Sequence, residues 1–183
     1  FAAVALAQHA SNRRLDLHIK GRVTRSQLDN LAEFPDIWSI WKSDCFHPIS
    51  ISCDSEAEDP PRRFGQPAVL AFSNGVDSSY SLLAHNTGML GRRSFHVGLG
   101  VLILGWDIRH GDTRGMDVAR SKAEATLRHF DCECVAIETN WQQDFCPVWF
   151  LGFNAGVACV LQTLRDNYSS AVFSNNVSYL EEL

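Results

Sequence analysis

In AVLAFSNGVDSSYSLLAH, Ala68 to His85, an apolar run passes directly into small and polar residues before an amphipathic segment resumes at Tyr80. Ala68 to Phe72 has the composition of a short interior strand. Ser73 to Ser79 reads as a strand-to-helix turn, and a helix is expected from about Asp77 to His85. A chain packed only for stability has little use for such a cluster between two apolar elements. A chain that admits an anion at a helix N-terminus does.

Toward the C-terminus the same rhythm continues. HVGLGVLILGWDI, His96 to Ile108, is a continuous aliphatic run of the kind found in a parallel strand covered on both faces. Met116, Ala119, Ala123, Leu127 and Phe130 mark one face of a helix. Cys134 to Asn140 predicts a strand, Leu151 to Arg165 a helix, and Ala171 to Ser174 a further strand. This alternation predicts an α/β fold, a parallel sheet flanked by helices with right-handed crossovers. Ligands of such sheets sit beyond the carboxyl ends of the strands, where Ser73 to Ser79 falls.

Toward the N-terminus the signals are weaker. Phe1 to Ala10 reads as a helix, and Leu15 to Ile19 alternates like a half-buried strand. Thr24 and Gln27 fit a capping box opening a helix with Leu28, Leu31, Ile37 and Trp41, interrupted by Pro35. Pro48 to Cys53 alternates again as a strand. Acids, prolines and an Arg62-Arg63 pair then mark a linker. The expected organisation is a small α/β N-terminal section at 1–53, a linker at 54–66 and the main domain at 67–183. The abrupt first and last residues read as those of a fragment of a longer chain, with the main domain truncated at its C-terminus.

The 183 residues are 45% hydrophobic and 20% charged, an ordinary globular composition. The formal charge of −5 argues against an extended nucleic-acid surface. No apolar run approaches the roughly 20 residues that span a bilayer. Six cysteines show no CxxC pair, so the spacing favours reduced buried thiols over zinc and a reducing cytoplasmic setting.

The turn itself has the parts of an anion cradle. Gly75 lacks a Cβ, which permits a positive φ and close approach of a phosphate. Ser73, Ser78 and Ser79 bring hydroxyls, and the first amides of the following helix have no intrahelical acceptor. Asp77 fits either an N-cap or a ligand for a divalent cation that accompanies phosphates. The plain alternative is that these are simply turn residues.

The order Ser73-Asn74-Gly75-Val76-Asp77-Ser78-Ser79 resembles the Ser-Gly-Gly-x-Asp-Ser signature of the PP-loop ATP pyrophosphatases. Ser73, Gly75, Asp77 and Ser78 match, Ser79 agrees with a frequent extension, and Asn74 replaces the first glycine. GWDIRHGD after the next strand, and ETN after the one following, look like the corresponding regions of uncharacterised members related to the 7-cyano-7-deazaguanine synthase and asparagine synthetase groups. The likeness covers roughly Ala68 to Asn176, and the N-terminal section resembles those relatives only loosely.

The resemblance implies an adenine nucleotide alpha-hydrolase-like fold that binds ATP with Mg²⁺. Residues Ser73 to Ser79 would hold pyrophosphate, Asp77 would orient the metal or cap the helix, and Trp106 and Asp107 would lie near the adenosine. The implied reaction is adenylation of an unidentified carboxylate or carbonyl substrate, with AMP then displaced by a nucleophile such as ammonia from a donor. The rival expectation is a nucleotide-binding module or pseudoenzyme within a larger assembly, which Asn74 favours.

Other motifs are missing or weak. The chain has no GxxxxGK[ST], no GxSxG and no four-cysteine zinc pattern, and the glycines of GLGVLILG lie in a strand. The pairs Arg62-Arg63 and Arg92-Arg93, and the sequence His110-Gly111-Asp112, read as solvated surface.

Overall fold

The computed structural model describes residues 2–61, 65–146 and 152–174. The Arg62-Arg63 pair, the expected helix start at Leu151 and the residues beyond Ser174 lie outside the described residues. The chain is α/β, with parallel sheets flanked by helices.

The main sheet is four-stranded, all parallel, from β3 (Ala68–Ala71), β4 (Val97–Leu104), β5 (Glu133–Glu138) and β6 (Ser170–Val172) in the order β5-β4-β3-β6. Helices α3 (Val76–Asn86) and α4 (Thr113–Arg128) cover one face, and α6 (Phe153–Gln162) covers the other. A short α5 (Trp141–Asp144) precedes α6. The chain moves outward from β3 to β4 and β5, then returns to β6 on the opposite side of β3. That reversal makes the end of β3 the topological switch point, where α/β sheets open a crevice.

Two buried layers hold the sheet. Leu70, Phe72, Val97, Leu82 and Leu127 pack beneath α3 and α4. Val69, Leu99, Val101, Val157 and Leu161 pack beneath α6. Val97 and Leu99 would share a face in a regular strand, yet they enter opposite layers. The register explains this: Ala68 pairs with Val97 and Val69 with Leu99, leaving Gly98 as the extra residue of a bulge. Beyond it Gly100 faces α4, where an added Cβ would lie 2.6 Å from the Leu127 methyl carbons. Glycine there lets a leucine fill the space.

The N-terminal section holds α1 (Ala2–Arg13), β1 (Leu17–Thr24), α2 (Arg25–Trp41) and β2 (Ile51–Ala57), with β1 and β2 paired in parallel. Helix α1 packs against both α2 and α6. Two local expectations are corrected. Pro35 does not interrupt α2, which runs through it. Its ring is fully buried beside the turn holding buried Leu31, and tertiary packing outweighs the missing backbone bond. Strand β2 also continues into the expected linker, because Ser55 to Ala57 extend the β1 ladder beyond an irregularity at Asp54. Asp54 Oδ2 accepts from the Gly21 amide at 2.8 Å, and Asp54 Oδ1 lies 2.9 Å from His18 Nε2. These bonds hold the Asp54 carboxyl below its usual range, His18 contributing most.

All six cysteines are free. Burial raises the thiols of Cys132, Cys134, Cys146 and Cys159. No helix among the described residues is long and apolar enough to cross a membrane.

Candidate functional site

The turn begins where β3 ends. Phe72 is buried, and its N–H still donates to Val101 O at 2.8 Å, so the sheet carries the chain rigidly up to Ser73. Asn74 then takes φ 61, the left-handed region. Asn is among the few non-glycine residues that visit that region readily. Position 74 is therefore one where the backbone demands an unusual residue, and Asn meets the demand.

Gly75 is different from the expectation. Its φ is −79 and ψ 175, an extended N-cap, so positive φ is not its reason for being glycine. A Cβ there would lie 3.2 Å from Ser73 Oγ. Gly75 is also the N-cap of α3, which removes that role from Asp77. Asp77 sits exposed in the first turn, where a carboxylate suits the positive end of the helix dipole.

The hydroxyls knit the turn together. The Gly75 N–H donates to Ser73 Oγ at 3.3 Å, and the buried Ser78 donates from Oγ to Gly75 O at 3.2 Å. Ser73 Oγ and Ser78 Oγ are 3.3 Å apart. The Ser79 amide donates to Gly75 O at 3.0 Å. The amides of Val76, Asp77 and Ser78 precede it and have no intrahelical acceptor by helix geometry. Val76 is 85% exposed, so the mouth of the helix is open to solvent.

A crevice of about 230 Å³ lies beside this turn at the switch point. Its wall brings together Ser73, Asp77 and Ser78 with Trp106, Asp107 and Phe173. That volume is below the roughly 300–1,000 Å³ of typical ligand pockets. It leaves room for a small group only, with the turn at its rim. A second, larger cavity of about 580 Å³ adjoins Ser73 and Asn74 on the α4 side. Gly75, Val76 and Ser79 line neither space.

Trp106 and Asp107 reach the crevice because β4 ends in a tight bend. Gly105 has φ +97 and donates its N–H to Ile108 O at 3.1 Å. On α6, a Cβ at Gly156 would lie 2.5 Å from Trp141 Cδ1 and 3.1 Å from Trp106 Cζ2. A glycine in a helix thus makes room for both indoles.

The chain matches no protein-family model and no curated protein sequence.

Sequence reasoning missed Phe153, Val157, Phe173 and Ser174, which complete the crevice. The rings of Phe153 and Phe173 are 5.9 Å apart, and Ser174 Oγ bonds Ser81 Oγ at 2.8 Å, tying the end of β6 to α3. The available signal was position, since Phe173 and Ser174 directly follow a strand at the carboxyl edge of the sheet.

A metal's fit can be judged from the donors. Asp77 and Asp107 both line the crevice, and Mg²⁺ is ordinarily held by one or two carboxylates together with substrate phosphates. Among the described residues no cluster of three or more His, Cys, Asp or Glu is suited to hold a metal ion by itself. The residues therefore fit a cation that arrives with phosphates rather than a permanently caged one.

Proposed function

We propose that the main domain binds ATP at the switch point and activates a carboxylate or carbonyl oxygen as its AMP ester. The observation that carries this reading is the placement of Ser73 to Ser79 at the carboxyl end of β3, beside a crevice with aromatic walls. Trp106, Phe153 and Phe173 supply apolar surface for adenine, and stacking on such rings contributes about 1–3 kcal/mol per base. Val76, Asp77 and Ser78 offer free amides, and Ser73 a hydroxyl, to the phosphates. Asp77 and Asp107 would hold Mg²⁺, which supplies charge neutralisation as pyrophosphate departs.

The substrate oxygen would attack the α-phosphorus, and the bond to the pyrophosphate oxygen would break. A nucleophile such as ammonia would then attack the activated carbon of the acyl or imidoyl adenylate, forming the new C–N bond as the C–O bond breaks and AMP leaves. The chain's own contribution is fixed geometry and fixed dipoles where negative charge grows.

Asn74 favours a second reading, a nucleotide-binding module without turnover, because its side chain stands where the motif has only hydrogen. Two measurements decide. ATP should raise Tm progressively, with the logarithm of its concentration once that exceeds Kd, and [³²P]pyrophosphate should exchange into ATP in the presence of a substrate acid. A Tm shift without exchange across a panel of acids supports the module. No Tm response to ATP or AMP refutes both readings.

A further inference from the structure

The larger cavity, between the turn and α4, differs chemically from the aromatic crevice. Its wall comprises Ser73, Asn74, Val118, Asp112, Arg114 and Lys122, among others. Neither the Arg114 guanidinium nor the Lys122 ammonium has an ion pair or hydrogen bond among the described residues. The cavity's one carboxylate is already engaged, since Asp112 Oδ1 accepts from the Gly115 amide at 2.9 Å as the N-cap of α4.

Two local features weaken the helix at this wall. The first turn of α4 contains no acidic residue and places Arg114 there, the wrong sign for the helix dipole. Gly115 follows, a residue roughly 1 kcal/mol less favourable than alanine in a helix interior. A Cβ on Gly115 would lie 2.5 Å from Asp112 Oδ2, so glycine is what allows this close cap.

We propose that this cavity binds an oxyanion-bearing group, carboxylate or phosphate, of the second substrate, held by Arg114 and Lys122 beside Asn74. The presence of an oxyanion site stands on the cavity and its two unpaired cations. Its assignment to a second substrate rests on the nucleotide reading of the crevice.

The test is calorimetric titration of the full chain with succinate and with pyrophosphate at low salt, in wild type and in an Arg114→Gln/Lys122→Gln variant. At least one probe is expected to bind wild type and to lose tenfold or more in the variant, while AMP affinity changes less than twofold. The responding probe identifies the source of the anion. Arg114→Glu separates binding from folding, because an acid in the first turn should keep or raise Tm while binding is lost. Failure of both probes to bind wild type, or equal affinity in the double variant, overturns the proposal. Probe binding that is lost in the variant, with no AMP binding at all, refutes only the nucleotide reading and leaves the oxyanion site standing.

Discussion

Gly105, at the end of β4, presses against the backbone of Thr139, whose carbonyl oxygen occupies the space a Cβ on Gly105 would need. The Thr139 N–H also donates to Leu104 O at 2.9 Å, so the two strand ends are clamped together. The clamp aims Trp106 and Asp107 into the crevice. Gly105→Ala adds a left-handed strain of about 1–2 kcal/mol to an overpacking cost of about 1–3 kcal/mol. Urea unfolding should show a loss of about 2–5 kcal/mol, with AMP affinity falling alongside. An unchanged midpoint would refute the contact.

Asn74 holds a left-handed conformation that glycine would adopt without strain and valine would not. Asn74→Val should lose about 1–2 kcal/mol of stability, and Asn74→Gly should stay within about 0.5 kcal/mol of wild type. If the Asn side chain limits turnover, Asn74→Gly will speed pyrophosphate exchange. Equal stability of the valine and glycine variants would contradict the backbone geometry.

Gly75 has ordinary extended angles, so a side chain there strains little and chiefly displaces the Ser73 hydroxyl. Gly75→Val should fold, losing at most about 1 kcal/mol from its N-cap position. Its ATP affinity should fall at least tenfold. Wild-type ATP affinity in a folded Gly75→Val protein would count directly against phosphate binding at this turn.

Gly100 and Leu127 share one packing space, which makes their substitutions non-additive. Gly100→Ala alone should cost about 1–3 kcal/mol by overpacking, and Leu127→Ala about 2–5 kcal/mol by leaving a cavity. The double variant should recover part of the sum, since the new methyl partly fills what the leucine vacates. Strict additivity in denaturant unfolding would show that the two do not touch.

The raised thiols fix a direction for alkaline stability. Burial lifts Cys132, Cys134, Cys146 and Cys159 above the ordinary value of 9.0. As pH rises past that value the unfolded chain loses these protons first, so stability present below it is lost as pH climbs through the folded values. Chemical unfolding from pH 8 to 10.5 should show a falling midpoint. The fall should shrink in a Cys132→Ala/Cys159→Ala variant, measured relative to its own value at pH 8.

The main sheet was legible because its residues have few alternatives. Val97 to Leu104 is too apolar for anything but a strand covered on both sides, and the spacing from Met116 to Leu127 fits only a helix face. The turn was legible by residue type, but not its angles: Asn74, not Gly75, carries the positive φ. Composition also misled at Asp54 to Ala57, since acids read as linker until β1 supplies His18 and the Gly21 amide as partners. Pro35 misled for the same reason, because burial is a tertiary property. The crevice wall at Phe153 and Phe173 depends on two elements meeting across the sheet, which no local pattern records.

Ser73 forms part of both cavity walls and owns a single hydroxyl proton. That proton can be donated to only one acceptor at a time, so a guest on either side competes for it or releases it. By thermodynamic reciprocity, whatever factor one guest imposes on its neighbour's affinity is returned in equal measure. A Ser73→Ala chain would make the two binding equilibria more nearly independent, whichever guest is added first.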